Sequence, residues 1–173
     1  IDGAYDYVGD DYTAETGYIR RTGYHLLSPG IAYKFYPQSE QIANHGPNLT
    51  YKSIFDTYWD QTDQLFQFKY EIGFLNRSNL SIHFQREYIK LRNPFDPTNF
   101  TGDSLAAGTE YRWNQGKIVY QSAPRNLFTY NVRAGYGGFY HGTRCFVEGN
   151  LNYRFQPYGS INLNMSYNDL KFP

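Results

Sequence analysis

Asp56, Asp60, Asp63, Asp96 and Asp103 are the side chains of this sequence best suited by type to catalysis. Two carboxyls about 5 Å apart, or about 6.5 to 9.5 Å apart, hydrolyse a glycosidic bond as acid and nucleophile or as acid and base. Sequence spacing brings no two of these to such a distance. Asp is also a preferred turn residue, because its carboxylate accepts hydrogen bonds from nearby backbone amides. The turn role is the better account, so no catalytic residue is assigned and the segment leans away from being an enzyme. Asp6, Asp10 and Asp11 lie near Gly9 as in a cation-binding loop, but a calcium loop also needs a bidentate Glu at a fixed distance downstream. A solvated acidic loop accounts for them.

His25, His45, His83 and His141 stand on separate segments, with no two at ligand spacing, so no metal site is assigned. They read as surface or lumen residues. Gly-x-Ser-x-Gly is absent and no Gly-rich phosphate loop opens a helix, so no cofactor is expected. Gly137-Gly138 reads instead as a bend or a close packing contact within a strand. The Asn-x-Ser/Thr triplets at Asn48, Asn76, Asn79, Asn99 and Asn164 would mark glycosylation only in a eukaryotic secretory protein.

The remaining ionisable groups, Lys52, Lys69, Glu71, Glu110, Arg112, Lys117, Arg133, Glu148 and Arg154, lie among many Asn, Ser, Thr and Gln. They are the lumen-facing candidates. In a wide barrel such a face lines water and sets charge selectivity. In a narrower one the mixed signs pair and fill the interior. Both readings stay open on the sequence.

These groups are positioned by about nine long segments of period-two alternation. In the clearest, Cys145, Val147, Gly149, Leu151, Tyr153 and Phe155 alternate with Phe146, Glu148, Asn150, Asn152 and Arg154, so a strand puts nearly all the polar groups on one face. After a turn signal at Gln156-Pro157-Tyr158-Gly159, Ile161, Leu163, Met165 and Tyr167 alternate with Asn162, Asn164, Ser166 and Asn168, and the two segments form a hairpin. Phe66, Phe68, Tyr70, Ile72 and Phe74 share one face, as do Phe128, Tyr130, Val132, Ala134 and Tyr136. The lipid-facing candidates are Phe66, Phe68, Tyr70, Phe74, Phe128, Tyr130, Tyr136, Leu151, Tyr153 and Leu163.

Further strands are expected at about 24–36, 49–59 and 80–91, with shorter ones at 105–113 and 116–122 joined by Asn114-Gln115-Gly116. Turns are expected at 60–63, 77–79 and 141–143. Long loops are expected at 37–48 and 92–104, the second carrying Asn93-Pro94-Phe95-Asp96-Pro97. Residues 1–23 read as an irregular strand or loop plus one strand.

The alternation predicts an all-β, antiparallel, up-and-down transmembrane β-barrel, of which about nine to ten strands are present. Eleven residues at about 3.3 Å each, tilted about 40°, rise roughly 28 Å, close to the apolar band of about 25 Å that such barrels carry. Aromatics make up 20% of the chain, 19 of them Tyr and 13 Phe, against 18% charged residues, a balance that suits interfacial girdles and a lipid-facing band. The formal net charge is zero and the pI about 7.1, which gives no electrostatic case for nucleic acid as a partner. A mean hydropathy of −0.67 excludes a helical membrane protein but not a barrel, since half of each strand is polar. The one cysteine, Cys145, makes no internal disulfide.

The competing fold is a soluble sandwich or lipocalin-like barrel, with its apolar faces inward and a small molecule bound inside. Two features strain the membrane reading. Arg86 shares parity with Leu80, Ile82, Phe84 and Tyr88, and a midplane Arg against lipid costs roughly 2 to 4 kcal/mol. Counting hairpins also puts the two expected long loops at opposite ends.

Three segments carry a resemblance: Phe155-Gln156-Pro157-Tyr158-Gly159-Ser160-Ile161, Gly135-Tyr136-Gly137-Gly138-Phe139-Tyr140, and Gly17-Tyr18-Ile19-Arg20-Arg21-Thr22-Gly23-Tyr24. With Asn93-Pro94-Phe95-Asp96-Pro97-Thr98-Asn99 they resemble the C-terminal barrel region of a family of gram-negative outer-membrane proteins. In that family an N-terminal domain looks like a family-nine carbohydrate-binding domain, and the C-terminal domain is of unknown function. The resemblance implies that residues 1–173 are a single segment of an outer-membrane barrel, preceded by that domain and followed by closing strands. It implies a location in the outer membrane of a gram-negative bacterium and brings no reaction and no site residues.

The expected function is a pore, or the membrane-embedded scaffold of a surface or periplasmic assembly. The alternatives are the anchor of a carbohydrate-binding or hydrolytic protein and a soluble all-β small-molecule binder. Outer-membrane lipid is the expected partner, with other outer-membrane or periplasmic proteins as further candidates.

Overall fold

The alternating segments become nine β-strands and, among the described residues, no helix. The computed structural model describes residues 1–13, 21–97, 104–155 and 157–172. Asp103, Thr98, Asn99, Glu15, Gln156, Pro173 and residues 17–20 of the resembling segment lie outside them. The strands are β1 (Asp2–Val8), β2 (Tyr24–Ala32), β3 (Ile42–Asp56), β4 (Gln61–Phe74), β5 (Asn79–Lys90), β6 (Glu110–Gln121), β7 (Phe128–Phe139), β8 (Gly142–Phe155) and β9 (Gly159–Lys171). They form one up-and-down antiparallel sheet in chain order, with β1 and β9 at its two edges. Seven of these strands have 12 or more residues, about twice the usual length in soluble domains.

Several boundaries differ from the sequence reading. Residues 42–48, expected in a loop, belong to β3, and Phe35 outside the strands bridges to His45. Pro47 is tolerated there because its carbonyl still accepts from Tyr33 N at 3.0 Å, the Pro ring removing only a donor. The expected pair of short strands around Asn114-Gln115-Gly116 is one continuous β6, since pairing with β7 from Gln115↔Gly137 to Gln121↔Asn131 satisfies the backbone that a turn would have left open. The β3–β4 turn falls at 57–60 instead of 60–63: Asp56 Oδ1 accepts from Tyr58 N and Asp60 N, each at 2.9 Å. The β4–β5 turn falls at 75–78 and the β7–β8 turn at Tyr140-His141, with Arg77 and Tyr140 at positive φ.

In an up-and-down sheet successive connections alternate between the two strand ends. The two longest, 9–23 and 91–109, both leave odd-numbered strands and therefore lie at the same end. The first of the two expected long loops shortens to a connection at 33–41, which leaves β2 and so lies at the end opposite to 91–109, as expected; 9–23 is the long connection that shares an end with 91–109.

The chain forms two compact units, one of Ile1–Ile31, Leu49–Gln67 and Arg86–Trp113, the other of Ala32–Asn48, Phe68–Gln85 and Asn114–Pro173. In the first, Arg21 donates to Asp63 and to Thr62, each at 2.6 Å. Arg92 donates to Gly23 O at 3.3 Å. Leu91 and Leu105, both in the 91–109 connection, are buried, and Phe95 bridges to Leu105. The second unit holds the face described next.

Candidate functional site

Register fixes the faces of β6 to β9. Val132 opposes Gly149, Tyr130 opposes Leu151 and Phe128 opposes Tyr153, while Leu151 opposes Leu163 and Val147 opposes Tyr167. Ile118 and Tyr120 join them opposite Ala134 and Val132. Much of this apolar face is open, with Tyr136 65%, Ile161 61% and Leu163 52% exposed. The other face carries Lys117, Asn131, Arg133, Glu148, Asn150 and Asn164.

That polar face lines a cleft of about 700 Å³ within the second unit, reaching from β4 to β9. β4 contributes Lys69 and Glu71, β5 contributes Asn79, Ser81 and His83, and β6 contributes Lys117. Its charges are partnered. Lys69 pairs with Glu71 at 2.6 Å, Glu71 also accepts from Asn79 at 2.9 Å, and Arg133 pairs with Glu148. Amides cross-link β8 to β9, Asn150 to Asn164 and Asn152 to Asn162. Arg144 gives both Nε and Nη2 to Asn168 Oδ1, at 3.1 and 2.8 Å.

Of the lumen-facing candidates, the cleft gathers Lys69, Glu71, Lys117, Arg133 and Glu148. Arg154 lines an adjoining cleft of about 350 Å³ and donates to Pro124 O and Asn126 O at 2.7 Å each, tying down the β6–β7 connection. Lys52 is exposed on β3. Glu110 and Arg112 are set apart by the continuity of β6: their parity is that of Ile118 and Tyr120, opposite to Lys117. Arg112 instead lies over the Tyr88 ring at 4.9 Å. A strand break at 114–116 would have reset the alternation, and the break does not occur.

Two glycines show why the polar face closes up. A Cβ on Gly135 would lie 2.5 Å from the Phe146 ring, its cross-strand partner, and one on Gly137 would lie 2.5 Å from Gln115 Cα. The close contact expected at Gly137 is thus a backbone approach of β6 to β7.

The other chemical candidates are structural. Asp56 holds its turn and Asp63 its ion pair with Arg21. His25 stacks between Tyr7 and Trp59, with centroids at 4.7 and 4.3 Å, and meets Tyr5 Oη through Nδ1 at 2.8 Å. His45 meets Tyr70 Oη at 2.6 Å and His83 meets Ser81 Oγ at 2.9 Å. His141 lies beside Phe172. Among the described residues no three His, Cys, Asp or Glu side chains converge as a metal site. The aromatic sandwich around His25 was not foreseen; Tyr7 opposes His25 in register, but Trp59 reaches it only through the folded β3–β4 turn. Comparison with protein-family models, with curated proteins and with solved structures finds no match.

Proposed function

We propose that this chain supplies strands of an outer-membrane β-barrel whose polar face surrounds a hydrated interior and serves as a pore. The observation that carries the reading is the sense of the faces in the second unit: the concave side is amide-rich and charged, while the apolar side is exposed. A soluble barrel requires the reverse, because large contiguous apolar faces left in water favour aggregation. In a bilayer that arrangement is the stable one, and long antiparallel strands satisfy the backbone where no water can.

The first unit fits the same picture in part. Arg86, on the apolar parity, lies near the middle of β5 and keeps its midplane cost, whereas Glu110 and Arg112, on the same parity, lie at the end of β6 that borders the 91–109 connection. There an Arg meets headgroups and water, and its cost falls to about 0 to 1 kcal/mol. The grouping of the 9–23 and 91–109 connections at one end matches the unequal loops of such barrels, with long loops outside and short turns on the periplasmic side. A second role, as the embedded scaffold of a surface or periplasmic assembly, is favoured by the paired charges, which also suit a filled interior.

The test is partition of the full-length protein between membrane and soluble fractions, with electrophoresis of the detergent extract before and after heating. Membrane retention with a heat-dependent mobility shift is expected. A protein soluble without detergent, with no shift, would overturn the reading.

A further inference from the structure

The cleft differs from a charge-selective passage in how its ionic groups are used. Its lining holds three cations, Lys69, Lys117 and Arg133, against two carboxylates, Glu71 and Glu148. The two carboxylates are each closed on a cation of the same wall, Glu71 on Lys69 and Glu148 on Arg133. An ion passing such a pair feels a dipole instead of a net charge, and the opposing fields largely cancel within a Debye length of about 8 Å. Selective ion passage relies instead on rings of like charge.

What the wall offers in quantity is neutral hydrogen bonding. Gln121, Asn131, Asn150, Asn164, Ser81 and Ser166 line the cleft. Each amide or hydroxyl both donates and accepts, so the wall can replace the hydration of a solute that does the same. Val119, Gly149 and Met165 are the apolar residues of the lining, and the imidazole of His83 is its one aromatic ring among the described residues. With no Phe, Tyr or Trp among the described residues of the lining, the cleft offers a flat or apolar ligand little to stack on.

From this chemistry we infer that the passage is built for small uncharged hydrophilic solutes carrying several hydroxyl or amide groups, with only a weak preference among simple ions. The inference rests on the pore reading and names the solute class of the same face. It also assigns a task to the Arg133–Glu148 pair: each residue masks the other's charge in the passage. Removing either one unmasks the other with a predictable sign.

The experiment uses the full-length protein reconstituted in phosphatidylcholine vesicles and planar bilayers. Swelling is followed with glycerol and urea as neutral probes, and reversal potentials are measured in a potassium chloride gradient. The expected results are rapid swelling in both neutral probes and a chloride-to-potassium permeability ratio within about threefold of unity. Glu148→Gln should raise that ratio and Arg133→Gln should lower it.

A channel strongly selective for one ion, or one whose selectivity ignores both variants, would overturn the inference while leaving the barrel intact. Insertion with a normal heat shift but no swelling would also overturn it, since the interior would then be filled. Failure to insert, with no heat-dependent shift, would overturn the pore reading itself.

Discussion

Arg133 on β7 and Glu148 on β8 are direct cross-strand partners, and their side chains close an ion pair on the polar face. The next position along the same ladder sets Ala134 against Val147 on the apolar face. A slip of one residue would carry the ion pair out of the cleft and bring an apolar pair in, because side chains alternate with a period of two. The register of this hairpin thus decides what the cleft contains.

The pair contributes little to stability. Its side chains are 49% and 27% exposed, and exposed ion pairs are worth only about 0 to 1 kcal/mol. Glu148→Gln is expected to move the temperature midpoint of the heat-dependent mobility shift only slightly. A large drop would mean that the pair is a structural keystone instead of a lining group.

Substitution by parity reads the faces directly. Leu151→Arg puts a charge near the middle of β8 on the apolar face, whereas Asn150→Arg puts one on the cleft face. Against lipid the first costs roughly 2 to 4 kcal/mol near the midplane, so folded yield in vesicles should fall for Leu151→Arg and hold for Asn150→Arg. Equal yields would contradict a lipid-facing apolar side. The reverse order would point to a soluble core.

Gly137 and Gly149 separate a backbone contact from an open position. An added Cβ at Gly137 meets β6 backbone, but at Gly149 its nearest neighbours are 3.9 Å away. Gly137→Ala should destabilise by about 1 to 3 kcal/mol through overpacking that backbone cannot relieve cheaply, and Gly149→Ala should be near neutral. Denaturant unfolding followed on the same gel compares the two.

The two tryptophans report depth. Trp59 stacks on His25 in the β3–β4 turn, and Trp113 has the strand parity of Lys117, on the cleft face of β6. Interfacial aromatics sit at headgroup level. In Trp113→Phe protein the remaining emission should be quenched by lipid brominated near the headgroup; in Trp59→Phe protein, aqueous iodide should quench more than brominated lipid does. Efficient quenching of Trp113 by deeply brominated chains would reverse the assignment of faces.

Local alternation was enough to determine that the chain is all-β, that β4, β7, β8 and β9 are long strands, and which residues share a face within each. Those are properties of the pleat, written every second residue. It also marked Gly137-Gly138 as a bend or a close contact and Asp56 as a turn former, because glycine without a Cβ and aspartate with its short acceptor act over a few residues; Asp63, read the same way, is instead a β4 residue paired with Arg21.

Only the tertiary structure decided that β6 runs unbroken through Asn114-Gln115-Gly116, that residues 42–48 join β3, and that the longest connections share an end. It alone showed that the polar face is the concave one in the second unit and that Trp59 closes over His25. The physical reason is common to these. A turn signal or a loop composition states a local preference worth about 1 kcal/mol or less per residue. A neighbouring strand that satisfies the backbone along a whole ladder outweighs it, and neither that neighbour nor the curvature it imposes is encoded at the position being read.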